Sequence, residues 1–239
     1  MLKKYFRYLR SVASEMYESD ILNLIEPDPN ACLLDIGCDN GRWTGKIISK
    51  VGCSIAFGID VVEEALNAAH QSGIGAVKCN VSDNLPFNDG AFDIVHSNQV
   101  IEHLYRTEHF VREIFRVLKP GGYAVICTEN LASWHNIFSL VMGWMPMSSS
   151  NFSQAKYNIG NPLAIHSSES AYLPESWQHI RVLSVRGIKD IFELHGFKME
   201  KFLGAGYYPF PSSIARIDPT HAAFMTCKFR KPKLQVSFG

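Results

Sequence analysis

The chain has 239 residues, 46% hydrophobic and 19% charged, the proportions of a folded globular protein rather than a disordered one. That length holds one large domain, or one domain with a lid. Twenty-three basic residues balance 23 acidic ones, so no long-range field gathers nucleic acid or an anionic membrane; only a local patch could do so.

The amino terminus, MLKKYFRYLR, alternates charges with aromatics and lacks the uninterrupted apolar run of a secretory signal. Residues 3–25 place Tyr5, Leu9, Val12, Met16 and Leu24 at helical spacing before PDP at 27–29, which predicts a helix within an N-terminal segment 1–29. Apolar runs and helical patterns then alternate. ACLLDIG reads as a strand and GRWTGKIISKVG as a helix. CSIAFGID and VVEEALNAAHQS repeat that order, and GAVKCNV is a short strand. FDIVHSN is a strand, TEHFVREIFRVLK a helix stopping at PGG, and YAVICTE a further strand. Continuous apolar strands separated by such helices predict a mainly parallel sheet covered on both faces.

From residue 130 to 178 the rhythm breaks into an apolar, Trp-containing stretch and then a region rich in Ser and Asn. A loop this long in a compact domain is usually functional, which predicts a lid over a substrate site. Its apolar part, NIFSLVMGWMPM, has 12 residues, short of the ~20 that span a bilayer. The α/β pattern resumes with VRGIKDIFELHG, followed by FKMEKFLGAG and HAAFMTCKF. That last pair of strands leaves no room for a crossover helix and is therefore expected to be antiparallel. The six cysteines (Cys32, Cys38, Cys53, Cys79, Cys127 and Cys227) form no C-x-x-C pair, and several sit in apolar runs. Buried reduced thiols are expected, with neither zinc nor a disulfide framework, and the protein is expected to be cytoplasmic.

The stretch LLDIGCDNGRW, residues 33–43, turns a buried strand through glycines into a helix, an arrangement that offers backbone N–H groups to a ligand. The dinucleotide fingerprint G-x-G-x-x-G fails, because its second and third glycines would fall at Asp39 and Arg42. The pattern present is D-x-G-x-x-x-G, from Asp35, Gly37 and Gly41. It suits a ligand without phosphates, carrying an amino-acid carboxylate and a positive centre.

LDIGCDNG, GID at 58–60, NLPFNDGAFDIVHSNQVIEHL and LKPGGYAVICTEN, in that order, resemble the successive motifs of class I S-adenosylmethionine-dependent methyltransferases of the type 11/12 kind. The resemblance is strong over residues 30–130 and looser through HIRVLSVRGIKDIFELHGF. It implies a Rossmann-like, seven-stranded, mostly parallel sheet with an antiparallel last strand, one methyltransferase domain over residues 1–239, and S-adenosyl-L-methionine as cofactor. It also implies that Asp35, Gly37 and Gly41 shape the turn under the methionine moiety. Asp60 would accept hydrogen bonds from the ribose hydroxyls, or alternatively cap the following helix. Asn80 and Val81 fall at the adenine contacts, and Ser97, Asn98 and Gln99 line the floor where the sulfonium meets the acceptor. Asp39 stands where the family commonly has glycine; aspartate tolerates positive φ better than most residues. Arg42 and Trp43 are expected as an exposed helix start and a packing residue.

An oxygen or nitrogen nucleophile can require a base. His103 and His179 are the first candidates, set against a purely structural role for each; His135 and His166 follow. Small-RNA 2′-O-methyltransferases carry E-x-x-E-H where this chain has Gln99, Glu102 and His103. Gln99 removes one carboxylate ligand, so no metal is expected. The resemblance implies methylation of a small molecule, most readily at oxygen, and the apolar lid stretch WHNIFSLVMGW predicts an acceptor with an apolar part; neither a nucleic-acid partner nor an integral membrane span is expected. The competing reading is a cofactor-binding but non-catalytic regulatory or scaffolding module.

Overall fold

The computed structural model describes residues 2–152, 159–163 and 177–233. The amino-terminal helix α1 (Leu2–Leu24) leads into β1 (Cys32–Ile36), α2 (Arg42–Val51), β2 (Ile55–Asp60), α3 (Glu63–Gln71) and β3 (Gly75–Lys78). There follow β4 (Phe92–Asn98), α4 (Thr107–Val117), β5 (Leu118–Glu129) and α5 (Trp134–Val141). The last elements are α6 (Val185–Leu194), β6 (Lys198–Ala205) and β7 (Phe224–Arg230). The seven strands form one sheet in the order β3-β2-β1-β4-β5-β7-β6. β7 is antiparallel to both its neighbours, and β1 to β5 pair in parallel, as expected for apolar strands separated by helices.

Both faces are covered, and the period-two alternation of side chains decides what each strand gives to which face. Leu33 and Val125 pack with Ile21 and Leu24 of α1 and Ile47 and Val51 of α2. Their chain neighbours Leu34 and Ala124 face the other way, onto α4 and α6. α4 buries Phe110, Val111, Ile114 and Val117 completely, the i, i+3/i+4 stripe that docks a helix, and each such side chain contributes about 1.5–3 kcal/mol. A charge at Val111 or Ile114 would therefore undock it.

The chain steps from β1 outward through β2 and β3, then crosses back to β4 and β5. The order reverses between β1 and β4, and the crevice at their carboxyl ends is the place an open α/β sheet offers a ligand. All six cysteines are free, four of them buried. Among the described residues no helix is long and apolar enough to cross a membrane. Of the segment 130–178, residues 130–152, 159–163 and 177–178 are described; they carry α5 and a 3-10 turn at Met147–Ser149.

Candidate active site

At the reversal point, Gly37 leaves β1 with φ +79°. A Cβ there would lie 2.5 Å from Val100 Cγ2, in the loop after β4. Both the left-handed backbone and the close approach of the two loops require glycine. Asp39 adopts φ +45° and Gln99 φ +55°, so an aspartate does sustain the turn. The backbone N–H of Asp39 donates to Asp60 Oδ2 (3.0 Å), tying the turn to the end of β2.

Asp35 does not face the crevice. It is 1% exposed, and its carboxylate accepts from Thr44 Oγ1 at 2.5 Å and meets His96 Nδ1 at 2.6 Å. The indole N–H of Trp43 reaches His96 Nε2 at 3.4 Å. Asp35 and His96 stand opposite each other in the β1–β4 register, so this chain of polar groups staples the two strands flanking the reversal point to α2. A role for Asp35 in shaping the turn is thus indirect. Trp43 packs on His96, and Arg42 is exposed, as expected. His96 was not singled out from the sequence. Its only signal is a polar residue interrupting each of two apolar strands, LLDI and IVHS.

A cavity of about 870 Å³ opens over the crevice. Gly37, Asp60, Asn80, Val81, Asn98 and Gln99 line it. Asp35, Gly41 and Ser97 are not among its lining residues, and Ser97 is 1% exposed. Asp60 does not cap α3 as its N-cap residue, which is Val62. Its Oδ1 nevertheless collects the N–H groups of Val61 (2.7 Å) and Val62 (3.0 Å).

The opposite wall is built from two pieces of chain far apart in sequence. The 3-10 turn Ile101–His103 offers the Glu102 carbonyl, which accepts from the N–H of Ile180 (2.8 Å) and Arg181 (3.0 Å). His103 and His179 are thereby brought edge to face, ring centroids 4.9 Å apart, and both line the cavity. His103 Nδ1 donates to the Gln178 carbonyl at 2.9 Å, so Nε2 is the atom with the lone pair. Burial lowers its pKa below the ordinary imidazole value, against the pull of that carbonyl, and the charge of His179 lowers it further. His179 goes the other way. Burial works against its charge, but the hydrogen bond and charge of Glu129, the charge of Glu102 and the Ser148 carbonyl together raise it to about 9. Its Nδ1 donates to Ser148 at 2.6 Å and lies 3.4 Å from Glu129 Oε2. The two rings are thus driven in opposite directions from one imidazole value, His103 towards its neutral form and His179 towards its charged form.

Glu102 is fully buried and its pKa is raised to about 7 by that burial, opposed by the charge of His179. One oxygen accepts from Thr128 Oγ1 at 2.8 Å, and among the described residues Oε1 has no hydrogen-bond partner. Glu102, His103 and His179 offer ligand atoms within 4.8 Å of one another, but a cation there would first have to displace the His179 proton. His135 packs its ring on Tyr208 and is not among the residues lining the cavity. His166 lies outside the described residues.

Residues 34–126 match the family model described as a methyltransferase domain. Those residues carry a methyltransferase domain, on a fold shared with S-adenosylmethionine-dependent methyltransferases. The methyltransferase fold extends beyond those residues: a SAM-dependent methyltransferase and possible histamine N-methyltransferase from Thermotoga maritima aligns with 96% of this chain and 94% of its own, with TM-score 0.63 and 19% identity. The same fold occurs in the [4+2]-cyclase SpnF, with TM-score 0.60, 16% identity and 91% and 80% of the two chains aligned. Among relatives in sequence, the mitochondrial ubiquinone biosynthesis O-methyltransferase of Rattus norvegicus is 28% identical over 187 residues, 74% of this chain and 47% of that protein. The 24-methylenesterol C-methyltransferase 2 of Oryza sativa is 32% identical over 120 residues, 47% of this chain and 33% of that protein. The chain thus spans less than half the length of either curated relative. Their names cover methylation at oxygen and at carbon.

S-adenosylmethionine is the cofactor of the methyltransferase domain, and the crevice suits it. An acid closes β2 beside a glycine turn, and Asn80 and Val81 line the same cavity.

Proposed function

We propose that the chain transfers a methyl group from S-adenosylmethionine to an oxygen of a small-molecule acceptor with a substantial apolar part, such as a lipid, a polyketide-like metabolite or a lipid-linked sugar. The observation that carries this reading is the edge-to-face pairing of His103 and His179, with pKa values driven in opposite directions, on one wall of the cavity that Asp60 also lines.

Asp60 holds the ribose. A carboxylate offers about four lone-pair sites; three are engaged by Asp39, Val61 and Val62. One ribose hydroxyl takes the fourth, and the second is admitted when the Asp39 N–H yields its place. Asn80 and Val81 flank the base, Gly37 and Gly41 let the turn approach the methionine moiety, and Asp35 with Ser97 supports that floor. Bound there, S-adenosylmethionine supplies an electrophilic methyl group on a sulfonium. Much of the acceleration then comes from holding a nucleophile in line with it in a water-poor site. His103 Nε2 takes the acceptor hydroxyl's proton, and His179, its charge held by Glu129 and Glu102, stabilises the oxyanion that results. No metal is required, because His179 already supplies the positive charge.

The segment 130–178 acts as the lid, closing the acceptor half of the cavity. Asn151 and Trp177, from its described parts, already line that half. We place the protein in the cytoplasm. Assay of labelled methyl transfer to phenolic, hydroxylated-lipid and glycolipid acceptors tests the reading. Turnover on an apolar hydroxylated acceptor is expected. Tight cofactor binding without turnover on any acceptor would instead favour a non-catalytic module.

A further inference from the structure

Helix α5 is inside out. Its buried residues are polar: Asn136 donates to the Asn130 carbonyl at 3.0 Å and to Ser148 Oγ at 2.6 Å, and Ser139 Oγ accepts from Asn161 at 2.9 Å. Its outward residues are apolar: Trp134, Phe138, Leu140 and Val141 are 46–78% exposed, followed by Met142 at 49%. A helix in water arranges these the other way round. No Asp, Glu, Lys or Arg occurs from residue 130 to 155.

The patch continues into two neighbours. Trp134 stacks on His221 and donates to Asp218, and His135 packs on Tyr208, which fixes α5 against the segment between β6 and β7. That segment exposes Phe210 (56%) and Ile217 (87%). Pro209 in turn accepts a hydrogen bond from Tyr5 of α1 at 2.9 Å. The first half of α1 contributes exposed Lys4, Arg7 and Arg10 and exposed Tyr5 and Tyr8, with no acidic residue before Glu15. In a chain of zero net charge this is a local basic, aromatic rim beside an apolar face. Arg10, Ser14 and Tyr17 of the same helix line the cavity, so the rim runs to the mouth of the site.

We propose that this face, made of α5, the segment around Phe210 and the first half of α1, docks on an anionic lipid bilayer. Apolar side chains entering the acyl boundary below a belt of Tyr, Trp, Lys and Arg is the chemistry of interfacial binding. The neutral polar backing of α5 keeps the helix attached while its outer face enters lipid. On the reading under Proposed function, on which this last step rests, docking places the cavity mouth against the bilayer, so that an acceptor resident in the membrane reaches His103 without crossing water.

Flotation of the full chain with vesicles of phosphatidylcholine plus phosphatidylglycerol, against phosphatidylcholine alone, tests docking without any turnover. Binding to the anionic vesicles is expected, weakening with salt. F138S/L140S should lower the partition coefficient roughly tenfold or more, and K4E or R7E about fivefold each. S-adenosylmethionine affinity, read by calorimetry, should be unchanged in all of them and certifies folding. No flotation with anionic vesicles at low salt overturns the proposal. So does equal binding by the variants. A concentration-dependent dimer abolished by F138S/L140S, without flotation, would overturn it in favour of a second copy of this chain on the face. Docking with no methyl transfer would leave the surface assignment standing and count against the catalytic reading alone.

Discussion

His103 and His179 meet edge to face with ring centroids 4.9 Å apart, and their pKa values are driven in opposite directions from the same starting point. Two like groups in one cavity diverge because burial and the charge of His179 push His103 down, while Glu129 and Glu102 hold His179 up against its own burial. Separation of that kind is what the proposed division into a base and a cation rests on.

A pH profile follows. On the proposed mechanism, activity requires His103 unprotonated and His179 protonated. The profile of kcat/KM should therefore rise through an apparent pKa below the ordinary imidazole value of about 6.5 and fall near the value of about 9 held by His179. His103→Ala should lower kcat by about 10²–10⁴-fold. His179→Gln should abolish the alkaline limb and move the acidic limb upward, because it removes the positive neighbour that lowers His103. A profile in H179Q identical to the parent's would contradict the assignment.

Stability should carry the same signature. The folded-state pKa of His179 lies above its unfolded value, so its contribution is fully present below pH 6.5 and is lost as pH rises towards 9. Glu102 is also raised, from 4.5 to about 7, so its contribution disappears lower, between pH 4.5 and 7. The difference in urea stability between the parent and H179Q should shrink as pH rises from 6.5 towards 9; His103, lowered on folding, contributes with the opposite sign and is common to both proteins.

Asp60→Ala should weaken S-adenosylmethionine binding by roughly 1.5–3 kcal/mol, since it removes hydrogen bonds to a charged group. That corresponds to about 10- to 150-fold in Kd. Asp60→Asn keeps one acceptor oxygen for the Val61 and Val62 N–H groups and so preserves the start of α3. If D60N also loses affinity while its melting temperature holds, the loss belongs to the ribose contact and not to the helix.

Asp35→Ala strands the Thr44 hydroxyl and the His96 ring in a site closed to solvent. Each orphaned group costs about 1–3 kcal/mol, which chemical denaturation would register. Cofactor affinity should fall with it, because β1, β4 and α2 lose their common tie. Thr44→Val, which removes one bond and leaves the His96 contact, should cost less on both measures.

Much of this was legible in the residues themselves. β1 to β5 announce themselves as apolar runs because both sheet faces are buried, and the absence of room for a crossover helix foretells the antiparallel β7. Gly37, Asp60 and Asn80 are readable because backbone geometry and hydrogen bonding constrain them locally. What was not legible depends on contacts far apart in the chain. The separation of His103 from His179 in pKa arises from the burial of His103 and from Glu129 and Ser148 around His179, which no local motif connects. The Asp35–His96 pair requires the β1–β4 register, and the inverted amphipathicity of α5 requires knowing that Asn130, Ser148 and Asn161 wait beneath it.

The most direct test is a crystal structure of the full chain with S-adenosylhomocysteine. The expected result is the ribose on the Asp60 carboxylate, the Asp39 peptide shifted to admit it, and the sulfur facing the wall that carries His103 and His179. A ligand bound elsewhere, or a crevice left closed by the Asp39–Asp60 contact at saturating ligand, would contradict the account.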